Sequence, residues 1–247
     1  MDTAKSKPTA PRTELMEQIS TFSESGSVYI YAPAGYGKSF SVMLWAENSA
    51  KPYVRVALTE DIGANPALFY ESLADALLKL QKGNKRLHDI VKHPGFSNAP
   101  VEFFIRALNA WDIDGESAVF IIDDFHLVTN PGILKKYPEL ISLHSKNITL
   151  FILSRNAPSG GFSSLIVKES IAVMDASPLL FQADEIQALF SDWGYPLTKA
   201  QAEDIFASTG GWAIGVKTIL LSGGQLSIKK LLKQHWESFI EKEVWDK

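Results

Sequence analysis

The residues best suited to chemistry form a short segment that can hold phosphate groups. Positions 32–39 read APAGYGKS, which differs from the pattern G-x-x-x-x-G-K-[ST] only at Ala32, where the first glycine is expected. In such a loop, backbone N–H groups can surround a β-phosphate, Lys38 can bridge the β- and γ-phosphates, and the Ser39 hydroxyl can complete a Mg²⁺ shell. The β-rich run before it and the helical pattern after it favour this interpretation over an ordinary glycine turn. We therefore predict a nucleotide phosphate loop made of Ala34, Gly35, Tyr36, Gly37, Lys38, Ser39 and Phe40.

Two carboxylates follow a short apolar run further along the chain. Val119–Ile122 is apolar throughout, and Asp123 and Asp124 come directly after it. A buried strand would deliver Asp123 to the carboxyl edge of a sheet, where it can hold Mg²⁺ directly or through water, and Asp124 could polarise an attacking water. Taken alone, the segment is no more than a strand that ends in a polar turn, and the phosphate loop makes the metal site the better interpretation. His126 supports two interpretations, a phosphate sensor or a structural hydrogen-bonding group.

A third polar group follows the apolar run Ile148–Leu153, which ends in Ser154 and Arg155. In ATPases with an additional strand between the two motif strands, a polar residue at the tip of this strand reaches the γ-phosphate. A guanidinium suits that role because it can form two parallel hydrogen bonds. We predict Lys38, Asp124 and Arg155 as the catalytic set, and Ser39 and Asp123 as the Mg²⁺ ligands.

Composition excludes several classes of protein. The 247 residues carry a formal charge of −4, so no overall positive field exists to hold nucleic acid nonspecifically. With no cysteine, the chain has no disulfides, no thiolate zinc site and no cysteine nucleophile. No apolar run approaches the roughly 20 residues of a membrane span, and the first 12 residues lack the apolar centre of a signal peptide. We expect a flexible leader, a cytoplasmic location and no membrane partner.

The elements that must position these groups alternate along the first two thirds of the chain. Short β-branched or aromatic runs predict strands, and spaced apolar residues between them predict helices, so the expected fold is a three-layer α/β domain with a central parallel sheet. After about Pro178 only helical patterns follow. The predicted strands are Val28–Tyr31, Tyr53–Leu58, Val119–Ile122, Ile148–Leu153 and Ser170–Met174; the predicted helices are Lys38–Asn48, Pro66–Leu80, Val101–Trp111, Ala183–Trp193, Thr198–Ser208, Trp212–Leu221 and a pattern within Ser227–Lys247.

Several of these segments together resemble one family. They are residues 32–39, Ile121–His126, Leu153–Arg155, the pair Phe181 and Glu185, and the run TGGWAIG at 209–215. Their order and spacing resemble the nucleotide-binding module of the large ATP-dependent LuxR-type transcriptional regulators. These are STAND signal-transduction ATPases, among them the activator of the maltose regulon. The resemblance covers most of the chain from Ser27 onward, and its Gly-Gly-Trp-x-x-Gly segment is the most discriminating part.

The resemblance implies a nucleotide-gated switch with ATP or ADP and Mg²⁺ as ligands and slow ATP hydrolysis. In that family ADP holds a closed monomer, and inducer plus ATP opens it for self-association, so adenine nucleotide and a second copy of the full-length protein are the implied partners. DNA would be bound only through a carboxyl-terminal domain absent here. The implied sheet order is 5-1-4-3-2. The implied organisation is a leader and first helix at 1–26, a P-loop ATPase domain at 27–177, a helical subdomain at 178–223 and the start of a truncated winged helix at 224–247.

Two other functions remain open on the residues alone. A P-loop kinase or other metabolic NTPase would pass the γ-phosphoryl group to a small acceptor instead of to water. A non-catalytic scaffold would retain the loop as a relic without bound nucleotide. Product analysis separates the switch from the kinase, and nucleotide content separates both from the scaffold.

Overall fold

The computed structural model of the protein describes residues 12–111, 117–141 and 147–221. Contacts divide the chain into two compact units. The sheet unit comprises residues 18–32 and 38–175, and the helical unit comprises, among the described residues, 12–17, 33–37 and 176–221. The predicted leader up to residue 11 and the predicted winged-helix start at 224–247 lie outside the described residues.

Helices and strands alternate up to residue 175, as the sequence patterns predict. Helix α1 (Thr13–Ser23) contains the first boundary between the units. The elements that follow it are β1 (Ser27–Tyr31), α2 (Lys38–Asn48), β2 (Tyr53–Ala57), α3 (Glu60–Ala64), α4 (Pro66–Leu80), α5 (Lys85–Val91), α6 (Pro100–Trp111), β3 (Ala118–Asp123), α7 (Pro131–Ile141), β4 (Ile148–Ser154), α8 (Phe162–Val167) and β5 (Ala172–Met174).

Within the described residues, the five strands form one parallel sheet in the order β2-β3-β4-β1-β5. This is the predicted order 5-1-4-3-2 read from the other edge, so the prediction is confirmed. In the register, Tyr31 lies opposite Ser154, and Ala57 lies opposite Asp123. The carboxyl ends of β1, β3 and β4 therefore meet at one edge of the sheet.

Strand side chains alternate between two covered faces. Phe120 and Ile122 of β3 join the same core cluster as residues of α4 and α6, whereas the Phe151 ring of β4 packs edge-on against Trp45 of α2 at 5.1 Å. Every residue of β3 is buried, as expected for a central strand with helices on both sides. The predicted three-layer α/β architecture is confirmed.

Local signals explain several helix starts. Asn65 caps α4 by accepting hydrogen bonds from the Ala67 and Leu68 N–H groups, and Pro66 at the first helical position needs no partner for its nitrogen. Asn84 caps α5 by accepting from the Leu87 N–H.

The helical unit contains α9 (Ala183–Asp192), α10 (Lys199–Thr209) and α11 (Ala213–Leu221). Thr198 and Gln201 form a capping box at the start of α10. Gly210 ends that helix with φ +59, a left-handed conformation that favours glycine. The three helices share a small apolar core of Ile186, Leu189, Phe190, Ala202, Ile205, Val216, Ile219 and Leu220. None of the helices in the described ranges is both long and apolar enough to cross a membrane.

Candidate functional site

The predicted phosphate loop connects β1 to α2 in the chain. Gly35 and Gly37 have φ values of +79 and +82, so two of its positions require the left-handed backbone that glycine adopts without strain. Contacts place residues 33–37 in the helical unit and Lys38 onward in the sheet unit, where Lys38 and Ser39 open α2 and the Phe40 side chain is exposed.

Lys38 lies with its ammonium group at the carboxyl edge of the sheet. Its Nζ donates a 2.6 Å hydrogen bond to the carbonyl oxygen of Ala32. Burial lowers the pKa of Lys38, and the nearby Arg155 lowers it further, while Asp123 and Asp124 raise it. The predicted residues Lys38, Asp123, Asp124 and Arg155 are therefore neighbours within the sheet unit.

Asp123 is the buried carboxylate of the group, with 2% of the residue exposed. Its Oδ2 accepts a 2.7 Å hydrogen bond from Nε of Arg55 on β2, and its Oδ1 accepts one of 2.9 Å from the Asp124 N–H. The ion pair with Arg55 offsets the cost of burying the charge. Arg55 was not identified from the sequence, because a lone arginine in an edge strand gives no signal of its partner.

Asp124 has a backbone conformation that is rare for its residue type. Its φ is +58 and its ψ is +37, a left-handed conformation. Non-glycine residues in this region carry strain that surrounding structure must hold, and such residues concentrate at functional sites. The Asp124 side chain remains half-exposed, which leaves it accessible to a water molecule or substrate.

His126 lies beside the same charges. Its Nδ1 is buried without a hydrogen-bond partner among the described residues, and it lies 4.0 Å from Oδ1 of Asp124. Burial and, next, Arg155 lower the pKa of His126 from its usual value of 6.5. The neutral imidazole is therefore the favoured form in the folded protein.

This shift predicts a pH dependence of stability. Between the lowered pKa and about 6.5, the unfolded chain binds more protons at His126 than the folded chain does, so the free energy of unfolding should fall as the pH falls through that window. The contribution is fully present above about 6.5. We expect His126→Gln to lose less stability than the wild type between about pH 7.5 and about pH 5.5 in urea titrations. A parallel decline in the two proteins would contradict this assignment.

In the helical unit, the side chain of Arg12 is almost fully buried. Its guanidinium pairs with Glu185 at 3.2 Å, donates to the carbonyl oxygens of Leu179 and Leu180, and lies 4.1 Å from the ring centroid of Phe181. Phe181 and Glu185, the pair that belongs to the family resemblance, thus both contact Arg12, which lies near the other end of the chain. The sequence did not reveal this pairing, since 173 positions separate Arg12 from Glu185.

Arg12→Ala should destabilise the protein by roughly 2 to 4 kcal/mol, because it leaves a largely buried carboxylate and several carbonyl oxygens without their donor. Urea unfolding followed by circular dichroism would measure the change. Arg86→Ala, which removes an exposed arginine of α5, is the matched control and should cost less than about 0.5 kcal/mol. Equal losses in the two variants would contradict a special role for Arg12.

A separate cleft of about 690 Å³ shares no residue with the groups described above. It belongs to the sheet unit and has mixed charges along its walls. Its lining comprises Asp75, Leu78, Lys79, Lys82, Gly83, Asn84, Lys85, His88, Asp89 and Lys92. The candidate site is therefore defined by the motif residues and not by this cleft.

Comparison with solved structures identifies the fold. The Walker-type ATPase of Pyrococcus abyssi superposes with a TM-score of 0.60, covering 96% of this chain and 75% of that chain at 11% identity. The chain has the P-loop ATPase fold. A second match is a signal transduction ATPase with numerous domains (STAND) that carries a tetratricopeptide repeat sensor, from Pyrococcus horikoshii. Its TM-score is 0.53 at 17% identity, with 90% of this chain and 32% of that chain covered.

Sequence comparison supports the same conclusion. No protein-family model matches the chain. Over 222 residues, or 88% of its length, it is 27% identical to the HTH-type transcriptional regulator MalT of Cronobacter sakazakii. The chain spans about a quarter, 24%, of the length of that relative. The resemblance is thus confirmed as homology to MalT, and the fold is that of P-loop ATPases.

Proposed function

We propose that the chain binds ATP and ADP with Mg²⁺, hydrolyses ATP slowly and acts as a nucleotide-dependent switch. The main support is the proximity of four charged residues. Lys38, Asp123, Asp124 and Arg155 come from three separate parts of the sequence and lie together within one compact unit, where the carboxyl ends of β1, β3 and β4 meet. Ligands bind at this edge in open α/β sheets.

The donor set fits Mg²⁺. The Ser39 hydroxyl and the Asp123 carboxylate supply oxygen ligands, which Mg²⁺ prefers, and a bound Mg²⁺ would neutralise charge on the phosphate oxygens. Among the described residues, no group of three or more His, Asp or Glu side chains could hold a metal by itself. A site of one carboxylate and one hydroxyl agrees with a Mg²⁺ that takes its other ligands from nucleotide phosphates and water. Both Asp123 oxygens already accept protein hydrogen bonds, so contact with Mg²⁺ through a water is as well supported as direct contact.

Lys38, Asp124 and Arg155 would each have a separate role in the reaction. Lys38 would hold the β- and γ-phosphates as a point charge. Asp124, half-exposed beside the buried Asp123, would orient the attacking water. Arg155 would contact the γ-phosphate, which only ATP carries, and so distinguish the two nucleotides.

Homology to MalT supports the switch over a metabolic role. MalT is a transcriptional regulator, and this chain matches 24% of its length. We propose that the chain is the nucleotide-responsive part of such a regulator, that ATP favours self-association of the full-length protein, and that DNA is bound by a domain outside this sequence.

Product analysis tests this proposal against a kinase. Purified protein incubated with Mg²⁺ and ATP, without any acceptor, should release ADP and inorganic phosphate in equal amounts and slowly. Transfer of the γ-phosphoryl group to an added small metabolite, with no phosphate released in its absence, would support the kinase alternative. If the protein neither binds nucleotide nor hydrolyses ATP, the result would support the non-catalytic scaffold.

A further inference from the structure

Two consecutive carbonyl groups of the phosphate loop are held by one turn of the helical unit. The indole N–H of Trp212 donates to the Ala34 oxygen at 3.2 Å, and the backbone N–H of Ile214 donates to the Gly35 oxygen at 3.1 Å. Residues 33–37 and 176–221 belong to the same compact unit, so both contacts are internal to it.

The approach of this turn to the loop is close. A Cβ atom on Gly35 would lie 2.9 Å from both Ile214 Cδ1 and Trp212 Cζ2, shorter than real contacts allow. The Tyr36 ring also lies beside Trp212, with centroids 6.3 Å apart. Gly35 is therefore favoured for two reasons, its positive φ and the Trp212 ring that leaves no room for a Cβ.

The turn is itself anchored. Gly210 and Gly211 have φ values of +59 and +76, and the Phe181 N–H donates to the Gly211 oxygen at 2.8 Å. Thr209 donates its hydroxyl hydrogen to Ile205 and accepts from the Gly211 N–H, while its carbonyl accepts from the Trp212 N–H. These bonds fix where the Trp212 and Ile214 donors point before any ligand arrives.

Peptide geometry connects these contacts to phosphate binding. In a trans peptide the C=O and N–H groups point in opposite directions, and the described residues contain no cis peptide bond. Fixing the Ala34 and Gly35 carbonyls therefore also fixes the N–H groups of Gly35 and Tyr36. Among the described residues, the Gly35 N–H donates to no protein acceptor, and the Tyr36 N–H lies in a turn that begins at Pro33. The Gly35 N–H therefore remains available to an anion.

We propose that Trp212 is a positioning residue for the phosphate loop, and that Trp212 and Ile214 together hold the loop in its phosphate-binding conformation. This inference rests on the proposed function. It assigns a specific role to the Gly-Gly-Trp segment: the helical unit holds the groups that bind phosphate. ATP and ADP share the phosphates that would lie near the loop backbone. Loss of the Trp212 donor should therefore reduce the affinities for ATP and ADP equally.

Trp212→Phe tests the role, because it keeps an aromatic ring and removes the indole N–H. The matched control is Trp45→Phe, since the Trp45 indole donates a 2.9 Å hydrogen bond to Ser20 within the sheet unit. Calorimetric titrations should show ATP and ADP affinities both reduced about 5- to 10-fold in Trp212→Phe, the value of one hydrogen bond. Trp45→Phe should stay within about twofold of the wild type, with urea unfolding recorded for both variants.

The outcomes separate the inference from the proposed function. Wild-type protein that binds neither nucleotide would overturn both. Wild-type binding with unchanged affinity in a folded Trp212→Phe would overturn only the positioning role. If Trp212→Phe does not fold, ¹⁵N spectra of the wild type decide instead, with the other tryptophan indole signals assigned by substitution. A shift of the Trp212 indole signal on adding Mg²⁺ and ADP supports the role, and an unmoved signal overturns it.

Discussion

Replacing Lys38 by alanine should reduce the affinity for both ATP and ADP roughly 100-fold or more, the largest effect we expect from any single change. The ammonium group is placed beside Asp123, Asp124 and Arg155, and charge-assisted bonds to phosphate are about twice as strong as neutral ones. A hydrogen bond to a charged group contributes about 1.5 to 3 kcal/mol, and Lys38 is expected to meet two phosphates. Titration calorimetry with Mg²⁺ and each nucleotide measures the loss.

The control must separate binding from folding, because Nζ of Lys38 also donates to the Ala32 carbonyl. Lys51→Ala removes an exposed lysine shortly after α2 and should leave both affinities within about twofold. Urea unfolding of both variants shows whether Lys38→Ala is folded under the conditions of the titration. Equal ATP affinity in folded Lys38→Ala and wild type would refute the phosphate-loop assignment.

Arg155→Ala should weaken ATP binding by about 1 to 3 kcal/mol, or about 5- to 150-fold, and leave ADP affinity within about twofold. A ligand shifts a conformational equilibrium only by its different affinity for the two states, so a switch needs a group that contacts ATP alone. Arg155 follows the end of β4, between β1 and β3, and lies close enough to Lys38 to influence its charge. ATP turnover should fall with ATP affinity.

The matched control for Arg155 is Arg106→Ala. Arg106 is an exposed arginine of α6 that pairs with Glu102, so its loss removes the same charge away from the motif residues. Calorimetry with ATP and ADP on both variants gives the ratio of the two affinities directly. Equal losses of ATP and ADP in Arg155→Ala would show that the guanidinium supports the fold or the β-phosphate and does not sense the γ-phosphate.

Strands β3 and β4 could be predicted from the sequence because all or nearly all of their residues are buried between covering helices. Val119–Ile122 and Ile148–Leu153 are continuous apolar runs, and the structure extends each strand by only one or two residues. The sheet order was what the family resemblance implied, with β4 between the two motif strands β1 and β3, and the structure has this order.

Several short helices could not be predicted. Helices α3, α5 and α8 have five to seven residues, too few for a periodic apolar pattern to stand out. Helix α7 contains Pro138, which by local rules ends a helix, yet the burial of Ile133, Tyr137 and Leu140 keeps it helical. Packing against distant parts of the chain determines whether such segments are helical. A local sequence pattern carries no information about that packing.

The motif residues of the candidate site could be predicted from the sequence, but the residues that hydrogen-bond to the site and its supporting segments could not. Lys38, Asp123 and Arg155 follow from their places after strands. Three hydrogen-bonded pairs join residues more than 60 positions apart: Arg55 with Asp123, Arg12 with Glu185, and Trp212 with Ala34. Contacts of that kind depend on how elements pack in space, and a single sequence without its fold does not specify them.

The proposed function requires that this chain bind adenine nucleotide through its phosphate loop. Calorimetric titration of the wild-type chain with ATP and with ADP, each in the presence and absence of Mg²⁺, tests it most directly. We expect saturable binding of one nucleotide per chain, with ATP binding strengthened by Mg²⁺. Absence of saturable binding for both nucleotides, in protein shown by circular dichroism to be folded and shown by chromatography to carry no nucleotide from purification, would contradict it.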